Sequence, residues 1–257
     1  MKLVRFWDGE KISYGSLKAD KIKVIEGNVF FNYQVGSKSF NINEVQILAP
    51  CEPSKVVCIG LNYVDHAKEL TMEVPGEPIV FLKPNSAVTA TGTSIIYPPQ
   101  CTRLDYEAEL AVVIGSIARN VSIQEASEKI LGYTCANDIT ARNLQRKGAQ
   151  WTLAKSFDTF CPIGPHIVTN ISPDNLKIRL ILNGKTMQNS NTSQMIFSVD
   201  FLVSYLSRYM TLFPGDVIIT GTPPGVGPMN SGDVVEVKIE KIGNLKNIVG
   251  QKNKAGF

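Results

Sequence analysis

Short apolar runs broken by turn residues dominate the chain, and only a few stretches carry the 3.6-residue period of a helix. Residues 1 to about 50 hold short segments rich in valine, isoleucine, phenylalanine and tyrosine. Breaks at Asp8-Gly9, Glu26-Gly27-Asn28 and Val35-Gly36-Ser37 predict a small β-meander. Pro50 and Pro53 then mark a boundary, so the pattern divides into a small N-terminal β domain, 1–52, and a main domain, 53–257. KVVCIG (55–60) and IVFLKP (79–84) are predicted strands, and NYVDHAKEL between them has the residues of a short helix. SIQEASEKI opens with a capping box, Ser122 and Glu125, that predicts a helix ending near Gly132. Asn183-Gly184 sits between two extended segments as a hairpin signal. In SVDFLVSYLSRYM, Val199, Leu202, Val203, Leu206 and Met210 form one helical stripe with Ser198 as cap. DVIITG and DVVEVKIEKIG close the chain as strands, the latter alternating Val235, Val237 and Ile239 with charged residues. Strands outnumber helices without regular alternation, so the class is α+β, mostly β, with a mixed or antiparallel sheet system and a few short helices.

LDYEAELAVVIG (104–115) reads as one strand but carries three acids. Alternation puts Asp105, Glu107 and Glu109 on one face with Ala111 and Val113, and Tyr106, Ala108, Leu110 and Val112 on the other. One reading is a strand with a wet outer end. The other is a cluster of carboxylates with a shared occupant.

Charge and composition narrow the partners. With 26 basic and 23 acidic residues the formal charge is +3, and no basic run suggests nucleic acid or a membrane surface, so a small-molecule partner is expected. No apolar run approaches the length of a spanning helix, and Asp8 and Glu10 interrupt any leader core, which gives a cytoplasmic expectation. Five widely spaced cysteines without a C-x-x-C pair read as reduced, packed thiols.

Glu107 and Glu109, two apart on a strand, point oxygens into the same space, which is costly unless a cation neutralises them or one stays protonated. A hard divalent ion, Mg²⁺ or Mn²⁺, suits that oxygen set. Asp138 in CANDIT is a candidate third acid, with a cap or turn residue as the plain alternative. If ITARNLQRK continues as a helix, Asp138, Arg142 and Gln145 share a face, pairing an acid with groups suited to a substrate carboxylate. His66 lies three residues before Glu69, so a helical turn makes them neighbours. That pair is either a general base oriented by a carboxylate or a mixed-charge surface helix. His166 reads as structural, and Asp65 as a solvated or helix-start acid. Lys155 is either a partly buried cation for a developing negative charge or a snorkelling lysine. TGTPPGVG lacks a phosphate-loop lysine, so turn chemistry accounts for its glycines, while Thr222 can offer a hydroxyl or an amide to a ligand.

Taken together, GLNYVDHAKEL, LDYEAEL, NDITAR, LAKSFDTFCPIGP and TGTPPGVG resemble the fumarylacetoacetate hydrolase family in order and separation, over about residues 55 to 249. The resemblance implies a mixed β-sandwich roll, a homodimer, and Mg²⁺ or Mn²⁺ held by Glu107, Glu109 and Asp138. It further implies that His66 and Glu69 activate water from a segment that closes over the ligand, and that Lys155, Arg142, Gln145 and Thr222 contact substrate. The enzyme for which the family is named carries another aspartate seven residues before its histidine. Here that position is Ile59, and the chain looks more like the small acylpyruvase, oxaloacetate decarboxylase and 2-hydroxyhepta-2,4-diene-1,7-dioate isomerase branch. The expected activity is metal-dependent hydrolysis of the C–C bond of a 2,4-dioxo acid, of the acylpyruvate or fumarylpyruvate type, through an enolate. Decarboxylation or tautomerisation of oxaloacetate, and isomerisation of a dienedioate, use the same groups and stand as alternatives, with an inactive binding protein as a remote one.

Overall fold

The computed structural model describes residues 1–69, 71, 73–146, 148 and 150–252. Its centre is a twelve-stranded sheet, joined by a five-stranded and a three-stranded sheet. Most neighbours are antiparallel, but Val217–Ile219 runs parallel to Val56–Gly60, and Gly243–Lys252 parallel to Ser94–Tyr97, so the system is mixed. The N-terminal strands extend the large sheet directly, because Lys2–Trp7 pairs with Cys161–Val168 through Lys2 opposite Val168 and Leu3 opposite Ile167. Among the described residues no helix is long and apolar enough to cross a membrane.

The period-two reading of the acid-bearing strand holds in its packing. Ala111 and Val113 enter one core cluster, whereas Tyr106, Ala108, Leu110 and Val112 enter the other, which also receives the helix Val199–Tyr209 and the five-stranded sheet. All seven residues of Ala108–Ile114 are buried, and a valine, leucine or isoleucine buried there is worth about 1.5–3 kcal/mol. The strand is not continuous, however. It divides into Leu104–Tyr106 and Ala108–Ile114, with Glu107 at the break. Leu104–Tyr106 leaves the large sheet to pair with Thr140–Ala141 and Gly227–Met229.

Local signals account for several other elements. Asn183 and Gly184 both adopt positive φ, 50° and 81°, as a two-residue turn between paired strands requires. Ser198 caps Val199–Tyr209, and the Ser122–Glu125 capping box is formed. The five cysteines are free and buried, and burial pushes the thiols of Cys51, Cys135 and Cys161 up to about 12.

Three expectations fail locally. Val35-Gly36-Ser37 is not a break, since the strand Tyr33–Asn41 runs through it. Gly36 sits within the strand beside the exposed Glu26 side chain, which lies 2.6 Å from where a Cβ would be and is free to swing away. The helix begun at Ser122 ends well before Gly132, because pairing with Ala108–Ile114 draws residues from Ile130 onward into a strand. Over its described residues, 139–146, ITARNLQR does not continue as a helix either, and Lys147 lies outside the described residues. Thr140–Ala141 is captured by the strand Leu104–Tyr106, and only a 3-10 turn over Arg142–Leu144 follows.

Candidate active site

The ladder that breaks at Glu107 also brings the three acids together. Ala108 pairs with Asn137, so the next residue on that strand, Asp138, arrives beside Glu107, and Asp138 N donates to Glu107 O at 2.8 Å. Asn137 Oδ1 accepts from Glu107 N at 2.9 Å and fixes the break. One carboxylate oxygen from each of Glu107, Glu109 and Asp138 lies within 4.8 Å of the others, and the three residues are 7%, 2% and 1% exposed. Asp138 Oδ1 is buried with no hydrogen bond directed at it. Lys83 Nζ lies 2.6 Å from it in a buried ion pair and donates to the carbonyls of Ile139 and Phe160. A hard divalent ion fits these residues, because three buried carboxylate oxygens converge in one place.

Cations ring the triad. Lys155, 2% exposed at the end of the short helix Thr152–Lys155, donates to Glu107 Oε2 at 2.8 Å and to Asp138 Oδ2 at 2.5 Å. Arg142 donates to Glu107 Oε1 at 2.5 Å, to Asp105 Oδ2 at 2.8 Å and to Gln145 Oε1. The helical face expected to join Asp138, Arg142 and Gln145 is absent, yet the 3-10 turn delivers the last two side chains to the same wall.

The helix Val64–Glu69 places His66 Nδ1 2.9 Å from Glu69 Oε2. Gly225 N donates to Glu69 Oε1 at 3.0 Å, and Gly221 N donates to Glu109 Oε2 at 2.6 Å. The glycines of TGTPPGVG therefore do more than turn the chain. Gly225 has φ of 94°, and a Cβ there would lie 2.3 Å from Met187 O, so no other residue fits without displacing the donor. Thr222 donates its one hydroxyl hydrogen to Ala108 O at 2.9 Å.

Of the nine residues singled out from the sequence, His66, Glu107, Glu109, Asp138, Arg142, Gln145, Lys155 and Thr222 line one cavity of about 300 Å³. Glu69 reaches it through His66 and lines a second cavity of about 410 Å³ on the far side of Arg142. Ile59, where the enzyme naming the family has an acid, is part of the apolar wall with Ile79, Phe81 and Trp151. The Phe81 and Trp151 rings meet edge to face at 5.1 Å, and Lys155 Nζ lies 5.1 Å from the Phe81 centroid.

Electrostatics divides the two glutamates. Burial pushes Glu107 up, but Lys155 and Arg142 outweigh it and bring the carboxyl down to about 2. Burial, followed by the neighbouring charges of Asp138 and Glu107, holds Glu109 well above the usual carboxylate range. Burial pulls Lys155 down, and the two acids it touches more than reverse that, so it is firmly cationic.

Asp105 is not at a wet strand end. It is wholly buried and bridges Arg103 Nε at 2.9 Å and Arg142 Nε at 2.8 Å. Lys83 and Trp151 were also missed by sequence reasoning, which had only a lysine at a strand end and an isolated aromatic to go on. His166 is structural as expected: its Nε2 lies 2.6 Å from Ile242 O, and burial lowers it to about 4. Asp65 starts the helix, accepting from His66 N at 3.0 Å, and is held by Ser190 rather than left in solvent.

Comparison with known proteins agrees with this geometry. A family model described as Fumarylacetoacetate (FAA) hydrolase C-terminal matches residues 55–250, and one described as Rv2993c-like, N-terminal matches residues 1–50. The mitochondrial oxaloacetate tautomerase FAHD2A of Bos taurus is 46% identical over 220 residues, 80% of this chain and 70% of that one. The crystal structure of 2-hydroxyhepta-2,4-diene-1,7-dioate isomerase from Mycobacterium marinum matches with a TM-score of 0.92 at 40% identity, covering 99% of this chain and 100% of that one. Fumarylpyruvate hydrolase from Pseudomonas aeruginosa, solved with Mn²⁺ and pyruvate, matches with a TM-score of 0.75 at 34% identity over 80% of this chain and 92% of that one. By the span of the family model and these identities, the chain belongs to the fumarylacetoacetate hydrolase family.

Proposed function

We propose that this chain is a divalent-metal-dependent enzyme that converts a small 2-oxo acid through its enolate. The observation that carries this reading is the convergence of three buried carboxylates, within 4.8 Å of one another, in one cavity with Lys155 and His66. Bound at Glu107, Glu109 and Asp138, Mg²⁺ or Mn²⁺ supplies Lewis acidity toward a substrate carboxylate and its adjacent oxo group. Arg142 and Gln145 orient the acid, and Thr222 adds its backbone amide. Lys155 Nζ steadies the negative charge that develops next to it. His66, oriented by Glu69, moves the proton.

Two reactions use that proton differently. In tautomerisation His66 shuttles it between C3 and the oxygen on C2. This is the reading we put first, because a relative named as an oxaloacetate tautomerase is 46% identical and a structure named as an isomerase matches with a TM-score of 0.92. In hydrolysis His66 takes it from a water that attacks C4 of a 2,4-dioxo acid, and the C3–C4 bond then breaks. The matching structure named as a fumarylpyruvate hydrolase supports this second reading. We further propose a homodimer, whose mass light scattering reads directly.

A panel of oxaloacetate, acetylpyruvate, fumarylpyruvate and a dienedioate, each followed by proton NMR with Mg²⁺ or Mn²⁺ present and then chelated, separates the readings. Tautomerisation appears as accelerated exchange at C3 with no new acid, and hydrolysis as release of pyruvate with a second acid. Absence of turnover on all four, together with absence of metal binding, refutes both.

A further inference from the structure

Ala108 stands between two of the three proposed metal ligands, and its peptide groups have lost their sheet partner on one side. The neighbouring strand, Val217–Ile219, pairs only with Ala111, Val112 and Val113. Beyond it, Thr220 N and Thr220 Oγ1 serve Leu110 O at 3.1 and 3.0 Å, and the ladder then stops. A buried N–H and C=O without partners would be costly.

Side chains take the place of the missing strand. Gln188, wholly buried in the hairpin strand Lys185–Asn191, accepts from Ala108 N through Oε1 at 2.9 Å. Its Nε2 donates to Thr222 Oγ1 at 2.8 Å and to Pro223 O at 2.7 Å. Thr222 Oγ1 in turn donates to Ala108 O at 2.9 Å. The amide and the hydroxyl thus close a ring on the N–H and C=O of one residue, with the hydroxyl hydrogen pointed one way only. Met187, the residue before Gln188, presents the carbonyl against which Gly225 is packed, and Gly225 N holds Glu69.

We propose that Gln188 is a positioning residue for the metal centre: it locks Ala108 and the Thr222 loop together, and so fixes the directions of Glu107, Glu109 and the Gly221 amide that holds Glu109. It touches neither substrate nor metal. The inference rests on the metal reading above. Groups that orient metal ligands in this indirect way typically change affinity by about 10- to 100-fold when removed.

Calorimetric titration of the metal-free full-length chain with Mn²⁺ alone tests it, with melting temperatures recorded in parallel. Gln188→Leu and Thr222→Val each weaken Mn²⁺ about tenfold. The double variant is no weaker than about the worse single one, because both break one ring. Thr222→Ser, which keeps the hydroxyl, binds within about twofold of the unaltered chain, and with Thr222→Val it decides the matter should Gln188→Leu fail to fold. Unchanged Mn²⁺ affinity in Gln188→Leu, whatever its melting temperature, overturns the proposal. So does a Thr222→Ser variant as weak as Thr222→Val. An unaltered chain that binds no Mn²⁺ overturns the metal reading itself, which the titration separates from failure of the positioning role.

Discussion

Glu109 offers the sharpest test of the metal centre, because its carboxylate opposes folding when no metal is present. Burial and the charges of Asp138 and Glu107 raise it well above the usual carboxylate range. The sign follows: between the ordinary carboxylate value and the raised one, the native chain binds more protons than the unfolded chain, so stability falls as pH rises. Within that window each pH unit costs at most about 1.4 kcal/mol. Glu107, held down at about 2, is ionised in both states across this range and adds no slope. His166 works in the opposite sense. Burial lowers it to about 4, so its neutral form stabilises the native chain above the ordinary histidine value, and about 2 kcal/mol is lost on going from pH 7 to pH 5. The two slopes oppose each other in the unaltered chain, which is why the variant is needed. Glu109→Gln keeps an acceptor for Gly221 N and removes the charge. Relative to the unaltered metal-free chain its stability advantage grows as pH rises above the ordinary carboxylate value, by at most about 1.4 kcal/mol per pH unit, or about 3 to 6 °C in melting temperature for a chain of this length. The same variant loses most of the stabilisation that saturating Mn²⁺ confers. Thermal and urea unfolding after dialysis against chelator, at a series of pH values, give both quantities. A stability difference independent of pH refutes the charge argument, and full Mn²⁺ stabilisation of Glu109→Gln refutes its place among the ligands.

Other substitutions separate the remaining roles. Asp105→Asn takes the charged partner from Arg142, and steady-state kinetics should show KM raised about tenfold with Mn²⁺ affinity within about threefold; unchanged KM would show that Arg142 needs no such anchor. Lys83→Met breaks a buried ion pair and strands two carbonyls, lowering stability by about 3 to 5 kcal/mol in urea unfolding, whereas a loss under about 1 kcal/mol would mean Asp138 relaxes without it. His66→Ala should keep Mn²⁺ binding and lose turnover by about 100-fold or more, and normal turnover would remove the His66–Glu69 pair from the proton path.

The residues of the site were legible where each sat inside a short distinctive segment, and illegible where its meaning depended on a distant partner. Glu107 and Glu109 declared themselves by an alternation that carried acids onto the same strand face as Ala111 and Val113, an arrangement the two core clusters reproduce. His66 and Glu69 needed only one helical turn. Asp105 has the same local appearance as a solvated strand end, and only Arg142, brought alongside by pairing with Thr140–Ala141, reveals its burial. Lys83 inverts the ordinary pattern. On the edge strand Ile79–Lys83 the lysine is 1% exposed, while Val80 and Leu82 are 37% and 47% exposed. No hydrophobicity pattern would turn that lysine inward, because what pays for its burial is Asp138 and two carbonyls from elsewhere in the chain. The turn after Asp138 departs from its local pattern for a related reason: its residues suit a helix, but a neighbouring strand with open hydrogen-bonding groups claims Thr140 and Ala141 first.

Charge balance then limits what the cavity can hold. Asp105, Glu107 and Asp138 are each in ion-pair contact with a cation drawn from Arg103, Arg142, Lys83 and Lys155. Among the described residues, Glu109 is in no such contact and accepts instead from the Gly221 amide. With all four acids ionised these four cations and four anions balance, a divalent ion adds two positive charges, and Arg146, which also lines the cavity, adds a third. A neutral ligand would leave that charge uncompensated in a cavity walled by Ile59, Ile79, Phe81 and Trp151, where low dielectric makes an uncompensated charge expensive. A 2-oxo acid brings one negative charge with the carboxylate beside its oxo group, or two where it carries a second carboxylate as oxaloacetate does, and gains one more when its C3 proton leaves. The centre is therefore better matched to the ionised enolate than to the keto acid from which it forms, and that difference in binding is the part of the interaction that accelerates a reaction.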